Sequence, residues 1–250
     1  MKTKSIFLSF VLFFTMGVLC AQEYTPIPKV LATHKNKKAF TALKNNDTAD
    51  RIPLFNGKDL SGWYTYTEKY GKNNDAAQQF AVDNGVLHFD GADMGYLCTN
   101  KSYENYYLRI VFRWGYSKYE PRLDGPRDSG VLYHFSETAS DGLWPTSIEC
   151  QIQESDCGDY WFVGGTDGHS PNASSFEWDM KRVVKTANYE NSNPNWNVIE
   201  LVCIDNKSEH YVNGQLVNQA FNLNISKGKI LLQLEGAEIY YKTIEMIPLK

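Results

Sequence analysis

From residue 52 onward the chain is written in short stretches in which apolar and polar residues alternate one by one, broken by turn residues. A period of two puts successive side chains on opposite faces of an extended strand. The pattern predicts strands over residues 80–82, 86–89, 95–98, 106–114, 130–135, 147–153, 196–204, 208–212, 215–219, 229–234 and 237–246. Asp83-Asn84-Gly85 and Asn213-Gly214 fall between neighbouring strands, where tight hairpin turns favour Asn-Gly. No long amphipathic helix or internal repeat interrupts the series. The expectation is an all-β fold, one β-sandwich or jelly roll of antiparallel strands rather than separate domains.

Two stretches lack the alternation. Residues 117–127 hold Pro121 and Pro126 with Arg122 and Arg127, and residues 158–195 form a long polar connection rich in Gly, Ser, Asn and aromatics. Long connections in a compact domain are often functional, so both are expected to wall a site.

The N-terminus follows other rules. Lys2 and Lys4 precede an apolar run over residues 6–19, and the small Ala21 precedes Gln22. That is the layout of a secretory signal peptide over residues 1–21, cleaved after Ala21. The run is shorter than the roughly 20 residues a membrane-crossing helix needs, and no later stretch qualifies. Cys20 raises a lipoprotein reading, which the bulky Leu19 before it disfavours. The expected location is periplasmic or secreted, with no membrane span. Residues 22–51, with Pro26, Pro28 and several lysines, read as a leader carrying one short helix around 38–43, ahead of a domain over 52–250.

Composition narrows the partners. A net charge of −4 without a long basic run gives no electrostatic footprint for nucleic acid or an anionic membrane. Cys98, Cys150, Cys157 and Cys203 remain in the mature chain, and an oxidising compartment allows bridges among them. Buried free thiols are the alternative, and the spacing matches no zinc site.

Splitting each strand by parity gives candidate chemistry. Asp128, Gly130, Leu132 and His134 oppose Val131, Tyr133 and Phe135; Glu149, Gln151 and Gln153 oppose Ile148, Cys150 and Ile152. Gln233 and Glu235 oppose Ile230, Leu232 and Leu234, while Arg109 and Arg113 oppose Leu108, Ile110 and Phe112. If these strands share a sheet, carboxylates, amides, an imidazole and guanidinium groups meet on one surface. Amides and carboxylates match sugar hydroxyls because each offers donors or acceptors in fixed planes. Trp144 and Trp161, in the flanking loops, are the tryptophans best placed to stack on sugar rings. A paired-carboxylate mechanism would draw on Glu149 and Glu235, with Glu154 and Asp156 in reserve. A plain solvated sheet face is the competing reading.

The segment Pro53-Leu-Phe-Asn-Gly-Lys-Asp-Leu-Ser-Gly-Trp63 resembles the opening motif of the 3-keto-disaccharide hydrolase family. Asp128-Ser-Gly-Val-Leu-Tyr-His134, Glu149-Cys-Gln151, Asn195-Trp-Asn197, Tyr211-Val-Asn-Gly214 and Leu232-Gln-Leu-Glu-Gly-Ala237 follow in that family's order. The resemblance implies a concanavalin-like β-sandwich of two curved antiparallel sheets, with the ligand on the concave one. It implies cleavage of a glycoside already oxidised at C3 by a partner oxidoreductase. The residues implied are Glu149 as base or metal ligand and His134 and Glu235 as further ligands or acids. Asp128, Gln151, Gln233, Arg113, Arg127, Trp144 and Trp161 would hold the sugar, and a divalent metal held by Glu149 and His134 would act on the ketone. The family often has Asn where this chain has Asp128, and Arg where it has His134. A carbohydrate-binding module without catalysis is the runner-up.

Overall fold

The computed structural model describes residues 51–249. In chain order the strands are β1 (Ile52–Pro53), β2 (Trp63–Thr67), β3 (Gly71–Lys72), β4 (Phe80–Asp83), β5 (Val86–Phe89), β6 (Met94–Thr99), β7 (Tyr106–Lys118), β8 (Gly130–Phe135) and β9 (Ser147–Gln151). They continue with β10 (Tyr160–Val163), β11 (Ser174–Glu177), β12 (Met180–Val183), β13 (Asn197–Ile204), β14 (Lys207–Val212), β15 (Gln215–Phe221), β16 (Lys229–Glu235) and β17 (Ala237–Pro248). One antiparallel sheet runs β15-β14-β13-β7-β17-β5-β4, with β1 on β17; the other runs β11-β12-β10-β9-β8-β16-β6-β2-β3. The all-β sandwich read from the alternation is the observed architecture, and the described residues contain no helix.

Parity explains the core. Val131, Tyr133, Ile148, Cys150, Leu232 and Leu234 of the second sheet face Leu108, Ile110, Phe112, Ile199, Leu201 and Ile239 of the first, all essentially without solvent. Each fully buried aliphatic or Phe side chain contributes about 1.5–3 kcal/mol relative to exposure. A polar network crosses this layer. The Tyr133 hydroxyl lies 2.8 Å from Ser208 Oγ and 3.0 Å from His210 Nε2, and His210 stacks on Tyr160 at 3.7 Å. Burial pushes His210 down to about 3, so the ring is neutral. Cys98, Cys150, Cys157 and Cys203 are all buried and unbridged. On the outer side of the first sheet, the Tyr107 hydroxyl donates to the buried Glu200 carboxylate at 2.6 Å.

The polar connection over residues 158–195 holds β10, β11 and β12, which widen the second sheet beyond β9. Elsewhere on that sheet's outer face, Tyr64, Tyr96, Cys98, Leu132, Phe135 and Leu231 form a separate apolar cluster, with Ala139 of the β8–β9 loop packed on it. Asp141 of the same loop accepts hydrogen bonds from Tyr64 Oη (2.7 Å), Tyr96 Oη (2.6 Å) and Lys72 Nζ (2.9 Å). The loop is thereby fastened over the apolar end of this face, and the polar side chains of β9, β8 and β16 lie outside that cluster.

The expected signal peptide, the leader up to residue 50 and its short helix lie outside the described residues. Among those described, no helix is long and apolar enough to cross a membrane.

Candidate functional site

Three neighbouring strands, β9, β8 and β16, present the polar residues on one face. Gly130 pairs with Gln151 and Leu132 with Glu149, while Asp128 bridges to Glu235 just before β8 begins. Glu149, Gln151, Gln233, Glu235 and Asp128 are thus brought together as the alternation predicts, and all are buried. Gly130 makes room for them. A Cβ at that position would collide with Glu149 Oε1 and lie 3.2 Å from Gln233 Oε1.

A cation from the loop expected to wall the site, though given no role there, joins this group. Arg122, from the Pro-flanked loop after β7, ion-pairs through Nη2 with both Asp128 and Glu235. The loop can settle there because residue 236 is glycine at φ 70°, with Arg122 Cγ 2.9 Å from where a Cβ would stand. The Tyr119 amide also donates to the Gly236 carbonyl at 2.8 Å.

The electrostatics follow from packing three carboxylates around one guanidinium. Burial, then the charges of Asp128 and Glu235, push Glu149 well above the usual carboxylate range, with Arg122 opposing. Burial and the Glu235 charge raise Asp128, again against Arg122. Burial raises Glu235 too. Desolvation works to lower Arg122, but Asp128 and Glu235 prevail and raise it. Like charges this close disfavour full ionisation, so the cluster tends to retain protons.

Several polar atoms here are buried without a hydrogen-bond partner: acceptors Asp128 Oδ1, Glu149 Oε1 and Gln233 Oε1, and donors Arg122 Nε and Trp161 Nε1. Orphaned buried polar groups cost free energy, and a cluster of them at one place marks a site built for a ligand. Gln151 is half committed, since its Oε1 accepts from the Ile152 and Gln153 amides at 2.9 and 3.1 Å. Its amide NH₂ remains to donate. Trp161 on β10 is the cross-strand neighbour of Glu149 and borders the cluster.

Other expected residues lie elsewhere. His134 has φ 56° and is fully buried, its ring edge-on to Tyr133 at 4.9 Å and Tyr106 at 5.9 Å. The β8–β16 pairing shifts register there: Leu231 pairs with Leu132 but Lys229 with Phe135. One extra residue in β8 forms a bulge that turns His134 into the core and hands the open face to Phe135. Burial lowers His134 to about 4. The assignment of His134 as catalyst or metal ligand is therefore corrected. Arg113 belongs to β7 of the other sheet, over the rings of Tyr240 (4.2 Å) and Trp196 (5.3 Å), so its expected sugar contact is corrected too. Parity assigns a side of a strand but not the sheet to which the strand belongs.

Arg127 adjoins the cluster but is held by Glu154, with both its backbone N and Nη1 at 2.8 Å. Asp156 is taken up by Gln153, Arg182 and Lys185. Trp144 stands half exposed on the β8–β9 loop, joined to the cluster by no hydrogen bond or ring contact among the described residues. The expected divalent metal loses its imidazole, and among the described residues no three His, Cys, Asp or Glu side chains converge as a metal centre. The donors present do not fit the expected ligand set.

A two-sheet antiparallel sandwich of this order is a concanavalin-type fold, here with a polar cluster on one sheet. A family described as the 3-keto-alpha-glucoside-1,2-lyase-like domain matches residues 50–247, and the chain belongs to it. The search of curated proteins found no match. Among solved structures, a candidate glycosyl hydrolase from Parabacteroides distasonis is similar, with TM-score 0.57 and 18% identity over 83% of this chain and 97% of that one. A Bacillus licheniformis β-glucanase has TM-score 0.51 and 13% identity, over 80% of this chain and 99% of its own. The carbohydrate-binding module CBM66 from Bacillus subtilis has TM-score 0.50 and 10% identity, over 76% and 97%. At these identities the likeness is one of fold.

Proposed function

We propose that the protein cleaves 3-keto-glycosides on the β9–β8–β16 face, with Glu149 as the base. The observation that carries this reading is the set of partnerless buried acceptors and donors around Glu149, together with the family match. Sugar hydroxyls both donate and accept, so one ring can satisfy Asp128 Oδ1, Glu149 Oε1 and Gln233 Oε1 along with Arg122 Nε and Trp161 Nε1.

A ketone at C3 acidifies the C2 proton. Glu149, with its raised proton affinity, removes that proton, and the electron pair becomes an enolate over C2, C3 and O3. Arg122 provides positive charge near the developing anion. Expulsion of the C1 substituent then leaves a C1–C2 double bond conjugated to the ketone. The leaving oxygen takes a proton from the Asp128–Glu235 pair, which burial keeps poised to hold one. Water adds back, hydroxyl at C1 and proton at C2, giving the free 3-keto sugar. No oxidant is consumed in these steps. The substrate's ketone must come from a separate oxidoreductase, and export would place both outside the cytoplasm.

The test is turnover of a 3-keto-disaccharide by purified protein, with and without chelator, compared with Glu149→Gln. Loss of about 100-fold or more in the variant is expected for removal of a general base. Full turnover by a folded Glu149→Gln protein defeats the assignment. Sugar binding with no cleavage of native or 3-keto glycosides would point to a binding module instead.

A further inference from the structure

The hairpin of β11 and β12 breaks a local rule. Its two central residues, Trp178 and Asp179, run at φ 51° and 63°, between the paired Glu177 and Met180. Tight turns of this hand favour Asn-Gly, and a bulky side chain at positive φ is an outlier. Residues kept against local preference cluster where function requires them.

Trp178 is 82% exposed, yet its ring lies nearly parallel to that of Trp161, at 6.0 Å and 13°. Trp161 is 7% exposed and fixed from another direction, with the Arg182 guanidinium 5.4 Å from its ring. Arg182 is itself locked to the fully buried Asp159 through Nε at 2.8 Å and Nη2 at 2.6 Å. Trp161 also leaves a buried, partnerless Nε1 beside Glu149, its cross-strand neighbour. A rigid lower ring thus supports an exposed upper one, stepping outward from the carboxylates.

We propose that Trp178 sets specificity for the second sugar ring, as the platform on which the ring one step outward from Glu149 rests. An indole face presents a flat apolar surface that suits the C–H face of a pyranose. The inference rests on the carbohydrate reading above but not on its cleavage chemistry.

Trp178→Gly suits the positive φ and should fold with an unchanged or higher Tm. Trp178→Phe restores an aromatic face. With a 3-keto-disaccharide, KM is expected to rise about tenfold in Trp178→Gly with kcat little changed, and to recover in Trp178→Phe. With methyl 3-keto-glucoside, a one-ring probe, neither variant should differ from wild type. Equal effects on both substrates, or none on either, overturn the subsite. If wild type turns over neither, the cleavage chemistry fails, and tryptophan fluorescence titration with maltose and cellobiose decides the subsite. Binding lost in Trp178→Gly then upholds it; binding unchanged, or absent in wild type, overturns it.

Discussion

The Glu149 carboxylate rests on the bare backbone of Gly130, with its Oε1 in the space a side chain at residue 130 would claim. Gly130 lacks a positive φ, so alanine is acceptable to the backbone, and the groups disturbed are the Glu149 carboxylate first and the Gln233 amide, at 3.2 Å, second. Gly130→Ala should reduce kcat/KM on a 3-keto-disaccharide about 100-fold, the scale of an ångström-level misplacement. Circular dichroism should report a native fold, because what the new methyl meets is the end of a side chain rather than backbone.

The acid limb of the pH–rate profile tests the carboxylate cluster. A base must be deprotonated to act, and burial with two neighbouring carboxylates raises Glu149. Activity should therefore climb with pH through a midpoint above the ordinary carboxylate range. Arg122→Gln removes the opposing cation, and the midpoint should move up by about a unit or more. A midpoint near 4 in both proteins would contradict the geometry.

His134 and Arg113 make a paired control. His134→Ala opens space in the core and should cost about 1–3 kcal/mol in urea unfolding. Arg113→Ala removes a guanidinium from the outer face of the other sheet and should alter stability by less than about 1 kcal/mol. Turnover per folded molecule should stay within about twofold for both. A large loss in kcat with either would place it back in the chemistry.

Glu200 predicts how stability depends on pH. Burial raises it from 4.5 to about 7, against the Tyr107 hydrogen bond and the charges of Arg109 and Arg51. An acid raised on folding adds stability that is complete below its unfolded value and lost as pH passes its folded one. The protein should weaken between about pH 4.5 and pH 7, and Glu200→Gln should reduce that loss by about 3 kcal/mol. Thermal unfolding of both proteins at pH 5 and pH 8 measures the difference.

Much of the fold was legible in sequence because a period of two is a direct record of burial. β5 and β8 were placed end to end, and Asn84-Gly85 and Asn213-Gly214 adopt the positive φ angles their turns require. The same period located Asp128, Glu149, Gln151, Gln233 and Glu235 on one face. It misled at His134, because one inserted residue reverses every later assignment in that strand. It could not assign Arg122 its partners, because that residue reaches the carboxylates from a site-walling loop without period. β10 was hidden because both its faces are covered, so Tyr160, Trp161, Phe162 and Val163 read as an unpatterned apolar run. Trp178 was one of six tryptophans able to stack on a sugar, and the alternation held nothing to rank it with Trp144 and Trp161.

The Asp141 clasp joins the β8–β9 loop to β2, β6 and β3 through one carboxylate, so Tyr64, Tyr96 and Lys72 share a single anchor and its loss would release the loop from all three strands at once.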